Sequence, residues 1–214
     1  MIEFNFKEVR NILCLGAHAD DIEIGCGGTL LKLIRDHERL NVLWVVFSAE
    51  GGRAREARAS ARAFLNGSLK KKIVVERFRG SYFPAQGIRI KEYFEKIQST
   101  FSPDLVLTHY RDDRHQDHRV LSDLAWNTFR NHLILEYEIP KYDGDFGIPN
   151  FFVPLDEEIC QKKVDHLCRF FETQSNKHWF SRDTFLSVMR LRGVECASPT
   201  KYAEAFFCRK VVAG

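Results

Sequence analysis

Two short clusters of acidic and imidazole side chains stand about a hundred residues apart in the chain: Ala17-His18-Ala19-Asp20-Asp21 near its start and His115-Gln116-Asp117-His118 in its middle. They supply the residue types that a mononuclear zinc hydrolase needs. A catalytic zinc takes three protein ligands from neutral imidazole nitrogen and carboxylate oxygen, and leaves another position open to water. His18, Asp21 and His118 could form such a set, with Asp20 and His115 beside the ion to handle protons. The two histidines of the second cluster are three residues apart, so on a first helical turn they share a face, and one could bind metal while the other meets substrate. Asp117 is placed to accept a hydrogen bond from a histidine ring nitrogen, which fixes the tautomer and raises the basicity of the ring.

Taken singly, each cluster has a plainer meaning. Adjacent aspartates after a strand can be helix N-caps, and the charged stretch 111–119 can be a solvated loop. The neighbouring Gly25-Cys26-Gly27-Gly28 invites comparison with a phosphate-cradling turn, but its spacing is not G-x-G-x-x-G. Asp20, Asp21 and Glu23 would also repel a diphosphate. The glycines are better read as allowing the following helix to pack close to a sheet and the loop to turn sharply.

The elements around the clusters favour chemistry. Runs 11–17 and 42–47 are short, apolar and rich in β-formers, as buried strands are, and residues 28–35 between them are apolar at helical spacing. Strand, helix, strand implies a parallel pair joined by a right-handed crossover. The alternation continues as helix 53–65, strand 72–76, helix 90–99, strand 105–108, helix 118–130 and strand 133–139. This order predicts the α/β class: a Rossmann-like open, mostly parallel sheet with helices on both faces. Ligands collect at the carboxyl ends of strands in such sheets, and each cluster follows a strand directly. Beyond a Gly/Asp/Pro loop at 140–150, Phe151-Phe152-Val153-Pro154 leads into a helix at 157–171. A helix at 183–191 and a strand at 203–209 complete an extension of the same domain that could roof the site. Residues 1–214 are thus expected to form one domain.

Composition sets the outer limits. Apolar and charged fractions of 44% and 29% are ordinary for a soluble globular protein. No run is long enough to span a bilayer and the first residues lack signal-peptide architecture, so a cytoplasmic protein is expected. A formal charge of +3 is too small to imply nucleic acid, and no nucleic-acid partner is expected. The six cysteines are scattered without a C-x-x-C pair, which points to reduced thiols behaving as small hydrophobes.

Ala17-His18-Ala19-Asp20-Asp21-x-Glu23-x-Gly25-x-Gly27-Gly28-Thr29-Leu30, joined with His109-x-x-x-Asp113-x-His115-x-Asp117-His118-Arg119, resembles the PIG-L/LmbE-type zinc-dependent N-deacetylases. The resemblance extends to Arg53-x-x-Glu56, Pro103-Asp104, Arg192-Gly193 and Tyr202-Ala203-Glu204-Ala205-Phe206. It implies one Zn2+ per chain, or another divalent metal, on His18, Asp21 and His118. It implies Asp20 as general base, His115 as oxyanion stabiliser and acid, and Asp117 as the orienter of His115. Ala19 stands where the family usually has proline, which loosens the loop without removing a ligand. Asp113 is expected to structure its loop.

The implied reaction is hydrolysis of an N-acetyl group on an acetamido sugar or sugar conjugate, giving acetate and a free amine. Zinc lowers the pKa of water and Asp20 takes its proton, while a protonated His115 held by Asp117 meets the oxyanion. Arg53 and Tyr82 are the expected substrate contacts, with the segment 136–145 as a further wall. Arg55, Arg58 and Arg62 share a helix face that could meet a substrate phosphate. The aglycone and any homo-oligomeric state stay open. Two other readings remain: a metal-dependent hydratase of an unsaturated keto acid, and a noncatalytic sugar- or nucleotide-binding domain.

Overall fold

Alternation within the apolar runs dictates a two-faced sheet. Strands β1 (Asn11–Gly16), β2 (Asn41–Val46) and β4 (Leu105–His109) are buried almost throughout. Ile12, Cys14, Val42, Trp44, Leu105 and Leu107 pack into one core, while Leu13, Leu15, Leu43, Val45 and Val106 pack into a second. Period-two side-chain placement requires such a division when helices cover both faces. The computed structural model describes residues 4–37 and 39–212.

With β3 (Lys70–Val75), β5 (Leu133–Tyr137), β6 (Phe151–Leu155) and β7 (Tyr202–Cys208), the sheet has seven strands in the order β3-β2-β1-β4-β5-β7-β6. Strands β1 to β5 run parallel, whereas β7 is antiparallel to both β5 and β6. The crossover helices are α1 (Asp21–Asp36), α2 (Gly51–Phe64), α3 (Gly87–Thr100) and α4 (Gln116–Thr128). Helices α5 (Glu157–Phe170) and α6 (Arg182–Glu195) belong to the final third, with α5 against α1 and α2. The expected open, mostly parallel α/β sheet is therefore present.

Two local expectations need correction. Phe151–Leu155 does not simply lead into a helix: it forms β6, an edge strand paired to β7. An edge tolerates Pro154, which lacks an amide proton for a second ladder. Residues 21–27 are not a loop before the helix, because α1 begins at Asp21 and continues through a kink at Cys26, where φ is −142° and ψ is 15°. The glycines there serve close packing rather than a turn: a Cβ at Gly25 would lie 2.1 Å from the Tyr137 ring.

The kink has a chemical cause. Breaking the helix at Cys26 leaves carbonyls of its first segment and amides of its second without intrahelical partners. Lys163 on α5 donates to the Ile24 carbonyl at 2.6 Å, and Glu204 on β7 accepts from Gly28 N at 2.7 Å and Thr29 N at 2.6 Å. Lys163 and Glu204 also pair with each other at 2.6 Å, both buried. Of the six cysteines, all free, those at positions 14, 26, 160 and 196 are buried as expected, while Cys168 is exposed and Cys208 half-buried.

Candidate active site

The strand order reverses around β1, whose neighbours are β2 and β4, and the crevice at such a switch point is where open α/β sheets bind ligands. His18, Asp20 and Asp21 follow β1 at this end, while His109 ends β4. His115 is the N-cap of α4 and His118 lies in its first turn. A long sequence separation thus becomes direct contact.

His18 Nδ1, Asp21 Oδ2 and His118 Nε2 form a nearly equilateral triangle. The nitrogens are 3.2 Å apart, and the carboxylate oxygen lies 3.4 Å from His18 Nδ1 and 3.5 Å from His118 Nε2. Donors at about 2.0–2.1 Å around a tetrahedral zinc are separated by about 3.3–3.4 Å, so the triangle has the size of one face of that coordination shell. Its protonation pattern also suits a cation. His18 Nε2 lies 3.1 Å from Asp117 Oδ2, and His118 Nδ1 lies 2.9 Å from Asp113 Oδ2. With both ring protons drawn to those carboxylates, two lone pairs and a carboxylate oxygen are left facing one another, which is repulsive unless a positive charge joins them.

A proton can serve in place of a metal ion. Burial works against a charged His18, but Asp21 and Asp117 outweigh it and raise its pKa to about 10. His118, fully enclosed and beside His109, is pushed down to about 3 and stays neutral. Asp21 is enclosed too, yet His118, His18 and His109 together hold its pKa well below the ordinary carboxylate range.

The surrounding carboxylates are allotted differently from the sequence expectation. The Asp117 carboxylate does not meet the His115 ring. That carboxylate meets His18 Nε2 and accepts from Ser81 N at 2.5 Å and Phe83 N at 3.1 Å, so the loop after β3 decides its direction. His115 Nδ1 instead accepts the Asp117 backbone N–H at 3.2 Å, which leaves the ring proton of the neutral imidazole on Nε2. Burial and the neighbouring His18 lower the His115 pKa, which favours a neutral donor over the imidazolium expected. Asp113 does more than structure a loop. Its Oδ1 accepts His115 N at 2.7 Å, and its Oδ2 receives both His118 Nδ1 and Lys141 Nζ at 2.9 Å.

Asp20 sits at the same mouth with a different environment. Arg53 donates to its Oδ1 at 2.7 Å, while its buried Oδ2 has no hydrogen-bond partner among the described residues. Burial raises its pKa more than Arg53 lowers it, which makes the carboxylate a better base than an exposed aspartate.

His109, absent from the expected site residues, lies beneath the triangle. Its ring stacks on His118 at 3.9 Å, and its Nε2 is 3.2 Å from Asp21 Oδ2. Asp21, His109 and His118 form a second grouping of metal-ligand types. The His109 Nε2 lone pair, however, already accepts Ala17 N–H at 3.0 Å, so the His18 grouping has the freer donors. The position of His109 at the end of β4 was a readable signal.

The triangle opens into a cleft of about 540 Å³ lined also by Arg53, Ser81, His115, Ile139, Lys141 and Tyr142. The segment 136–145 thus supplies a wall, and Gln174, Lys177 and Trp179 show that the final third does roof the site. Tyr82 does not line it: the side chain is exposed and lies under the Arg79 guanidinium at 3.9 Å. Arg55, Arg58 and Arg62 are also absent from the lining, and Arg58 donates instead to the Val75 carbonyl. Among the described residues no helix is long and apolar enough to cross a membrane.

The family model described as PIG-L, GlcNAc-PI de-N-acetylase, matches residues 13–129, which contain both clusters. The chain belongs to the PIG-L family of de-N-acetylases. Similar solved structures span nearly the whole PIG-L chain. The conserved protein TT1542 from Thermus thermophilus is 17% identical with a TM-score of 0.72, over 96% of this chain and 97% of that one. The N,N'-diacetylchitobiose deacetylase of Pyrococcus horikoshii is 21% identical with a TM-score of 0.65, over 95% and 85%. The 4-carboxy-2-hydroxymuconate hydratase GalB of Pseudomonas putida is 16% identical with a TM-score of 0.69, over 96% and 99%. At these identities the likeness establishes the fold, and the hydratase shows that the fold alone does not select a reaction.

Proposed function

We propose that this PIG-L protein is a zinc-dependent hydrolase that removes the N-acetyl group of an acetamido sugar or sugar conjugate. The observation that carries this reading is the triangle of donor atoms on His18, Asp21 and His118, with one carboxylate oxygen, Asp20 Oδ2, left without a partner beside it. When bound there, zinc polarises the acetamide carbonyl and makes water acidic enough to be activated near neutral pH. The chain's own groups handle the protons. Asp20 Oδ2 accepts the proton of the attacking water, and the Arg53 contact on Oδ1 holds the carboxylate in place. His115 offers Nε2–H to the developing oxyanion without first having to be charged, and removal of one such donor costs about 10²- to 10³-fold in rate. Asp20 then returns its proton to the departing nitrogen, giving acetate and the amine.

The test separates the neighbouring aspartates. Asp21→Asn should lose bound zinc after dialysis, whereas Asp20→Asn should keep it and lose about 10²- to 10⁴-fold in acetate release. Equal metal loss in both would overturn the assignment. Absence of acetate from a broad panel of acetamido sugars, combined with bleaching of an unsaturated keto acid, would replace the hydrolase by a hydratase.

A further inference from the structure

Two aromatic side chains stand at the mouth of the cleft on opposite supports. Tyr142 lines the cleft and is 74% exposed, so its ring is open to a ligand. Trp179 is half-buried and also lines the cleft, its ring edge-on to Phe180 at 5.6 Å. From this juxtaposition we infer that Tyr142 and Trp179 form a subsite for an uncharged, ring-bearing aglycone attached to the acetamido sugar. This inference rests on the deacetylase reading and narrows its substrate class.

Both rings are carried on anchored backbone. Beside Tyr142, Lys141 pairs with Asp113 at 2.9 Å and with Asp145 at 2.6 Å, and Asp145 accepts Arg114 N at 2.6 Å. The Asp113 oxygen that receives Lys141 also receives His118, so one carboxylate ties the Tyr142 loop to the metal triangle. On the other side, Thr173 binds Glu56 of α2 through its N at 3.0 Å and its Oγ1 at 2.6 Å. Phe180, next to Trp179, is buried against Phe171 and Phe185. Tyrosine and tryptophan on such supports offer large rigid contact area at little entropic cost.

The charges at the mouth argue for a neutral ligand. Lys141 is already matched by Asp113 and Asp145, and Arg53 by Asp20. Of the other charged groups lining the mouth away from the metal triangle, two are carboxylates, Glu50 and Asp143, and one is a cation, Lys177, whose Nζ lies over the Trp179 ring at 5.7 Å. A phosphate on the aglycone would meet more negative than positive charge there, whereas the C–H face of a second hexopyranose or an aryl ring would stack without that penalty.

The experiment compares kcat/KM of the zinc-loaded protein for N-acetylglucosamine, N,N'-diacetylchitobiose, an aryl N-acetylglucosaminide and N-acetylglucosamine 1-phosphate. At least one ring-bearing substrate should exceed the monosaccharide by about tenfold, the size expected of two aromatic contacts, mainly through KM. Which arm gains assigns the ring, and the phosphate should bring no gain. Trp179→Ala and Tyr142→Ala should collapse the ratio toward one, whereas general damage would lower both substrates together and keep the ratio. A preference for the phosphate, or a ratio unchanged in both variants, would overturn the inference. If no substrate releases acetate, calorimetry of chitobiose and N-acetylglucosamine on zinc-loaded Asp20→Asn still decides. Tighter chitobiose binding that is lost on adding Trp179→Ala supports the subsite, and equal binding overturns it.

Discussion

In the proposed ligand set, His18 is the residue on which proton and metal compete. Its raised pKa of about 10 means that the metal-free ring carries a proton near neutrality, while His118 is already neutral and Asp21 already ionised. Zinc must therefore displace one proton. Affinity should rise about tenfold for each pH unit between about 6 and 8, and calorimetry in buffers of different ionisation enthalpy should report release of one proton per zinc. Release of none would mean that His18 is not a ligand. Asp117→Asn should weaken zinc binding by about 10- to 100-fold, as loss of a carboxylate behind a ligating histidine does. Had Asp117 served His115, the same change would leave zinc binding intact and alter turnover alone. The residue types at 18, 20, 21, 115, 117 and 118 were legible because few side chains suit metal and proton chemistry. The pairing of each carboxylate with its histidine was not, since the amides of Ser81 and Phe83, far away in sequence, set the direction of Asp117.

Among the elements, α1 carries the most consequence, since Asp21 opens it and its kink is held by Lys163 and Glu204. Lys163→Met leaves a buried Glu204 carboxylate without its cation and the Ile24 carbonyl without a donor. Such a break costs about 3–5 kcal/mol. Urea denaturation of the zinc-free variant should show that loss directly, separated from any effect on metal binding; a change below about 1 kcal/mol would mean that the pair is dispensable to the kink. Strands β1, β2 and β4 were readable because both faces are buried and the sequence becomes a continuous apolar run. The edge strand β6 is only partly enclosed and contains proline, so its five residues carry no comparable signal. The glycine run around the kink looked like a loop because the polar groups that sustain a broken helix come from α5 and β7, more than a hundred residues later.

At the scale of the molecule, the order β3-β2-β1-β4-β5 brings the ends of β1 and β4 together, and the triangle of His18, Asp21 and His118 spans that seam. Zinc would join the start of α1 to the first turn of α4 in the folded chain, whereas the unfolded chain holds no such preformed site. Binding to the native state alone stabilises by RT ln(1 + [L]/Kd), about 2.7 kcal/mol when free zinc is a hundred times Kd. For a domain of this size each kcal/mol moves the midpoint by about 2–4 °C, so zinc should raise Tm over the chelated protein by about 5–10 °C. Differential scanning calorimetry with and without chelator measures this. The shift should vanish in Asp21→Asn, which removes a donor, and persist in Asp20→Asn, which leaves the triangle whole. A shift of equal size in both variants would place the ion elsewhere than on the seam between β1 and β4.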